Sequence, residues 1–466
     1  MTVMVVALIG VAATSFPITV LSAALPDIAA DLGTSNATIT WVISAPLLAF
    51  AVFTPMAGKL GDLHGHRRMY LWGFTGAAIG SLATAFAPDA ATLIALRVLA
   101  QAAASSTGPS ALAILMSVFP DERRTWVAGI WSGVLAASPA LGVALGGPLI
   151  DATSWRVLFV IQGVGSAVAV LASLRVLPAT PRRRDVTFDL PGGIALGAGV
   201  GAILFALNRS APWGWTNPFV VAGLSVGPVL LALFVLVERR TDHPLVHLPT
   251  LRRRNVAAPI ASQLFLNGPY MAGLVLTALM LSTVFDYDTT TISLTILPRP
   301  IAFAAGAWTA GAAAARFGGR TVVVSGTTLV TASLVLIGTA ALTHATALVV
   351  VGVLIAGAGS GFSRPPIIAA LTEAVGEADM GVGTGLLNMT GQIGAAAGIS
   401  LLTAPIGDAA GGREFFVVFV VAAVVAVLAI VAAHAIAYDG PVGRPTPAAP
   451  SAPWSTALMA RLRRNG

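Results

Sequence analysis

GKLGDLHGHRR, Gly58–Arg68, is the stretch on which the reading of this chain turns. It holds one carboxylate, Asp62, three glycines and five basic or imidazole side chains in eleven residues, between two long apolar runs. The chain around it has 466 residues, 56% of them hydrophobic and only 10% charged, with a mean hydropathy of +0.87. Soluble domains carry roughly 25% charged residues, so lipid is the expected solvent for most of this surface. A helix needs about 20 mainly apolar residues to cross a bilayer. Fourteen windows meet that need: 4–25, 40–57, 69–87, 91–117, 126–150, 157–177, 190–208, 219–237, 256–283, 294–315, 321–341, 346–371, 382–403 and 415–437. The first lacks a basic leader and a small-residue cleavage site, and is expected to be a retained span. Backbone groups in hydrocarbon must be satisfied internally, so the windows predict an all-α integral membrane protein.

Charge placement gives an independent check. With a cytoplasmic N-terminus and alternating spans, 20 of the 26 Lys and Arg residues fall in cytoplasmic loops or the tail. Arg156, Arg209 and Arg413 fall outside, and Arg97, Arg299 and Arg364 within spans. This asymmetry follows the positive-inside rule and predicts that both termini are cytoplasmic. The net charge of +7 and the pI near 10.8 are then topological, and nucleic acid is not an expected partner. With no cysteine, no HExxH and no GxxxxGK[ST] loop, no metal, nucleotide or other cofactor is expected.

The opening stretch recurs. Gly58-x6-Gly65-x-Arg67 matches Gly311-x6-Gly318-x-Arg320 at a constant offset of 253 residues. Internal repeats of this kind mark many secondary transporters. Two longer charged segments, 178–189 and 238–255, bracket windows seven and eight. The predicted organisation is therefore a six-helix half (1–177), linkers with an inserted helix pair (178–255), a second six-helix half (256–437) and a disordered Pro/Ala-rich tail (438–466). The copies differ, since Ala315 stands where the first has Asp62. Asp62 is expected to pair with an arginine or to sit at a helix N-terminus, where the macrodipole favours an anion. Such a contact can form in one state and break in another.

These residues carry a resemblance. GKLGDLHGHRR resembles the signature loop of the major facilitator superfamily, and the fourteen-span pattern is similar to its drug:proton antiporter branch of the EmrB/QacA type. SAALPDIAADL (22–32), GIWSGVLAASPALGVALGGPLIDATSWRVLF (129–159), FDLPGG (188–193), WGWTNP (213–218) and LTILPRP (294–300) resemble further stretches of that branch. The resemblance implies a fourteen-helix (6+2+6) fold with pseudo-twofold halves and alternating access. It also implies proton-driven efflux of hydrophobic or cationic drugs and no enzymatic activity. The heavy Ala and Arg usage with a single lysine, Lys59, points to a GC-rich bacterial source, so a multi-pass location in a bacterial inner membrane is expected. Gly58, Asp62, Gly65, Arg67 and Arg68 would form a conformational latch loop. Pro139, Gly142, Gly146 and Gly147 would belong to the antiporter-motif helix, although Val143 stands where the family has proline. Gly129/Gly133 and Gly142/Gly146 in that helix are each GxxxG, which lets neighbouring backbones pack closely.

Polar groups inside the windows are costly and are functional candidates. Arg97, in RVLAQAAASS, resembles the family's embedded arginine, and Gln101 accompanies it. Gln162, Gln263, Asn267, Tyr270, Asn388 and Gln392 could line a mostly apolar cavity for a hydrophobic small molecule, or make interhelical hydrogen bonds; Arg364, towards the inner end of its window, could be a ligand, a cytoplasmic-gate residue or a snorkelling arginine. Arg299 reads as an interfacial anchor. The family's aspartate in span one is missing, with Pro17 in its place, and no Asp or Glu lies mid-span. Asp27 and Asp151 are the remaining candidate proton carriers. The missing carboxylate leaves a second reading open, a narrow metabolite or lipid exporter or facilitator without proton coupling. A monomer is expected.

Overall fold

The computed structural model describes residues 2–15, 28–34, 36–39, 41–120, 123, 126–134, 138, 153–178, 180, 189–241, 244–246, 248–287, 289–375, 380–406 and 410–437. Among them there is helix and no strand. The principal helices are α1 (Thr2–Ser15), α2 (Trp41–His64), α3 (His66–Ala85), α4 (Ala90–Ala104), α5 (Thr107–Val118), α6 (Trp155–Val176), α7 (Leu190–Trp213), α8 (Pro218–Glu238), α9 (Arg254–Thr283), α10 (Thr289–Ile296), α11 (Pro298–Phe317), α12 (Gly319–Thr343), α13 (Thr346–Val375), α14 (Met380–Thr403) and α15 (Gly412–His434). A further helical stretch covers 126–134. Nine segments among the described residues are long and apolar enough to cross a membrane.

Local chemistry sets the boundaries. Asp189 caps α7 by accepting from the Gly192 N–H at 2.9 Å, and Asn217 caps α8 by accepting from the Phe219 N–H at 3.0 Å. Each is followed by proline in the first turn, where the missing N–H costs nothing. Windows seven and eight therefore begin at FDLPGG and WGWTNP. Window four holds two helices, α4 and α5. Between them Ser105, Ser106 and Thr107 turn their hydroxyls back onto the carbonyls of Ala102, Ala103 and Ala104. Such back-bonding competes with the helix ladder. Ser106 also donates to the Met69 carbonyl of α3 at 2.9 Å.

Packing sorts the helices. α3 packs on α4 and α6, and α2 on α4; α9, α11, α12, α13, α14 and α15 pack among themselves. α2 joins the two groups by packing on α14. The inserted pair, α7 with α8, lies over that seam, because α7 contacts both α2 and α14. α8 presents Phe219, Val221, Val226, Val229, Leu233 and Leu236 outward, as a lipid-facing helix does.

Two placements correct the sequence reading. The signature stretch is not a loop: α2 continues through Gly58 and Asp62 to His64, and only Gly65, at φ 93°, breaks it. The equivalent Gly318 has φ 86° and separates α11 from α12 in the same way. Both positions need the positive φ that glycine adopts freely. The helix extends past the expected window because its last turns are buried against the other half, so the backbone ladder is not exposed to water. Arg209 likewise lies within α7 and is buried. Its guanidinium carbon stands 3.5 Å from the Trp41 ring centroid of α2 and 5.7 Å from that of Trp213.

Outside the spans, Asp31 accepts from Arg156 and from the Trp155 indole. The hydrogen bond from Arg156 holds the Asp31 carboxyl below its usual range. This ion pair is partly exposed, so its worth is within about 1 kcal/mol. Two predictions follow from these contacts. Arg209→Met, which removes a desolvated cation–π contact, should destabilise the protein by about 2 kcal/mol, seen as a lower midpoint of thermal unfolding in detergent. The Asp31–Arg156 contribution is present above the ordinary carboxylate pKa of about 4 and fades as pH falls through the depressed folded value. The unfolding midpoints of wild type and Asp31→Asn should therefore converge on acidification and separate slightly near neutrality.

Candidate functional site

The site grows from the last turns of α2. Gly58 approaches α14 so closely that a Cβ there would stand 2.1 Å from the Gly381 carbonyl oxygen, and one on Gly381 would stand 2.4 Å from the Gly58 oxygen. Two backbones thus touch with no side chain between them. One turn on, Asp62 reaches across the same contact. Its carboxylate accepts from the N–H of Gly381 at 3.0 Å and of Val382 at 3.2 Å. These are unpaired donors of the first turn of α14, at the positive end of its macrodipole. Asp62 is 6% exposed, so little water screens the interaction.

The basic residues of the motif divide. His66 Nε2 stands 3.0 Å from Asp62 Oδ1. Arg67 turns away: its side chain donates to the Leu174 carbonyl in the last turn of α6 at 2.7 Å, and its backbone N–H donates to Thr180. Arg68 is exposed. Of the two settings expected for Asp62, the structure takes the helix N-terminus, with a histidine beside the carboxylate in place of an arginine. His66 is adjacent to Gly65, whose turn brings the next helix's first residue back towards α2. The sequence places His66 four residues after Asp62, which was the available signal for it.

The second copy makes the reciprocal contact. A Cβ on Gly311 of α11 would meet the Trp126 backbone at 3.0 Å, and one on Gly129 would meet the Ala307 carbonyl at 2.4 Å. The stretch 126–134 therefore packs on α11 as α14 packs on α2. The same offset of about 253 residues that relates Gly58 to Gly311 relates Trp126 to the start of α14. Ala315 supplies no carboxylate to the second seam, so among the described residues only the first is seen to be held by charge.

The polar candidates lie on helices of both packing groups. In α4, Arg97 is 2% exposed, with its guanidinium carbon 5.2 Å from the Phe159 ring centroid, and Gln101 is buried one turn on. Arg97 Nε has no hydrogen-bond partner, and no described carboxylate forms an ion pair with it. In the other half Arg364 of α13 donates to Asn388 of α14 at 3.4 Å, and Asn267 of α9 donates to the Gly391 carbonyl at 2.7 Å. Gln263 lies beside the same Gly391, a Cβ on which would stand 3.0 Å from its Nε2. Gln392 follows on α14 and is half-buried. Arg299 is a buried partner of Tyr270 rather than an interfacial anchor: it donates to the Tyr270 carbonyl, with its guanidinium carbon 3.8 Å from that ring's centroid. The structure thus joins Gln263 with Asn267, Arg364 with Asn388, and Tyr270 with Arg299, and keeps Arg97 and Gln101 apart from all of them on another group of helices. Pro139, Gly142, Gly146, Gly147, Asp27 and Asp151, like Pro17 and the tail 438–466, lie outside the described residues.

The family described as Major Facilitator Superfamily matches residues 7–192, 190–398 and 270–466. The chain belongs to the major facilitator superfamily. It is accordingly a membrane transporter and not an enzyme. Among curated members, it is 31% identical over 398 residues to the methylenomycin A resistance protein of Streptomyces coelicolor, covering 83% of this chain and 81% of that one. It is 29% identical over 384 residues to the multidrug resistance protein Stp of Mycobacterium tuberculosis, covering 82% and 71%. The human organic anion transporter MFSD10 shares the fold, with a TM-score of 0.63 at 17% identity over 93% of this chain and 98% of that one.

Two expected outcomes test the seam of this superfamily member. Asp62→Asn keeps one acceptor but loses the charge, removing about 1–2 kcal/mol from the closed contact. The closed population should fall roughly 5–30-fold relative to the open one, measurable as the distance between spin labels placed on α2 and α14. Gly381→Ala should push the backbones apart at an overpacking cost of about 1–3 kcal/mol. It should open the same distance with the carboxylate intact.

Proposed function

We propose that this chain is a fourteen-helix, proton-driven exporter of bulky hydrophobic or cationic drugs that works by alternating access. The observation that carries the reading is the pair of glycine seams between the halves, one of them held by Asp62 on a helix N-terminus. A contact built from one carboxylate and two N–H groups is strong enough to hold a pose and weak enough to be released in each cycle. Sparse polar groups on otherwise apolar helices, Arg97 and Gln101 on one side and Gln263, Asn267, Tyr270, Arg364, Asn388 and Gln392 on the other, suit a large ligand bound mainly by apolar contact. The resistance functions carried in the names of its relatives agree with export. Both termini lie in the cytoplasm of a bacterium, the protein sits in the inner membrane, and it works as a monomer.

A second reading is a narrow exporter of one metabolite or lipid without proton coupling. The missing span-one carboxylate, with Pro17 in its place, favours it. Inverted vesicles that carry a pH reporter separate the two. Under the first reading, addition of an ethidium-like dye should dissipate an imposed pH gradient, and Asp62→Asn should slow dye movement at least several-fold. Transport of a compound with no effect on the gradient would favour the second reading. No movement of any compound above empty vesicles would remove both.

A further inference from the structure

Arg209 is a buried cation with no part in the latch or among the polar candidates. It lies in the last turn of the membrane-length stretch of α7, Leu190–Ser210. That helix starts at the latch end of the molecule, where its Leu196 packs with Val382 of α14. Its 24 residues make a rod about 36 Å long, enough to cross the hydrocarbon of a bilayer. Arg209 therefore stands at the membrane boundary opposite the latch. The aromatic residues around it agree. Trp213 and Phe219 are 41% and 69% exposed, and Trp41 and Trp215 are half-buried. Tryptophans gather where hydrocarbon gives way to headgroups.

The guanidinium is only partly used. Its carbon stands 3.5 Å from the Trp41 ring centroid and 5.7 Å from that of Trp213. Trp41, Phe205 and Trp213 contact one another, with ring centroids 5.7 to 6.5 Å apart, so the rings form one enclosure around the cation. Phe219 of α8 extends it, 6.3 Å from Trp213. Rings hold the face of a guanidinium and offer nothing to its edge. Arg209 is 5% exposed, and its Nε and Nη2 are both buried without a hydrogen-bond partner. These two nitrogens carry the parallel N–H groups of one edge of the fork. That edge takes two oxygens of a phosphate or carboxylate side by side. A buried donor on a cation is costly to leave unmade, and two on one edge describe a site for an oxyanion.

We propose that this edge of Arg209 binds the phosphodiester group of a phospholipid from the leaflet opposite the latch. The phosphate brings two oxygens and one negative charge to the level at which Arg209 stands. The exposed Trp213 turns outward to admit it, and Trp41 keeps the face of the guanidinium. The acyl chains then lie along the outward apolar face of α8, which starts beside the enclosure with Phe219 and continues through Val226 and Val229. Free phosphate has the same oxygens but carries no chains to hold it at this depth. Bound lipid fixes the guanidinium, and through Trp41 it ties α7 to α2. The site lies apart from the latch and does not depend on what the protein transports.

The purified protein, washed in detergent until a phosphorus assay finds no retained lipid, is titrated with dihexanoyl phosphatidylglycerol while the midpoint of thermal unfolding is read. The wild-type midpoint should rise and saturate as the site fills. Dihexanoylglycerol, which has the chains without the phosphate, and inorganic phosphate at the same concentration should each leave it nearly unchanged. Arg209→Lys keeps a cation on the rings but loses the fork. It should fold and need roughly tenfold more lipid for the same rise. Arg209→Gln should show no saturating rise. An equal rise with dihexanoylglycerol or with inorganic phosphate, or a full response in Arg209→Lys, would overturn the assignment. So would a flat wild-type titration, which is the result expected if a carboxylate of the chain already fills the edge.

Discussion

The structure depends on a carboxylate from one half of the molecule resting on the helix N-terminus of the other. Two conditions allow it. Glycine at 58 and 381 lets the backbones of α2 and α14 come close enough for a short aspartate side chain to bridge them. Burial removes water, so the two N–H bonds and the helix dipole act with little screening. Neither condition works alone: a Cβ at the contact would hold the helices apart, and an exposed carboxylate would be worth little.

Much of this was legible in the sequence. Nine of the apolar windows coincide with membrane-length helices among the described residues, and the Asp-x-Pro and Asn-Pro starts of α7 and α8 are local signals that tertiary structure leaves alone. The offset between the two glycine motifs was also readable, and its meaning in space is a pair of reciprocal seams. The end of α2 was not readable as helix. GKLGDLHGHRR has the composition of a loop, and only burial against α14, three hundred residues away in sequence, makes its backbone helical. His66 was hidden for a related reason, since basic residues near a membrane read as topology signals and His66 was one among five.

The polar candidates divide in the same way. Their positions on buried faces could be anticipated, because a polar residue in a membrane helix faces protein far more often than lipid. Their partners could not. Arg299 looked like a surface anchor from its place near a span end, yet it lies over Tyr270 in the interior. Arg209 looked like loop charge, yet Trp41 and Trp213 hold it in place. Arginine tolerates both environments because its flat cation can stack on an aromatic face where no carboxylate is near. Glu238 ends an apolar helix and begins a charged linker, yet it is buried and accepts from the N–H groups of Leu245 and Val246; nothing local separates a solvated glutamate there from one folded back onto its own chain.

The inserted pair straddles the two halves in a way that has a mechanical consequence. Near one end of α7 Arg209 is held by Trp41 of α2, while Ser400 of α14 donates to the Leu207 carbonyl only two residues away. Neither half can shift against the other without shearing one of these bonds. α7 therefore braces α2 against α14 from the side that α8 covers, and any relative movement of those two helices would strain one of these contacts.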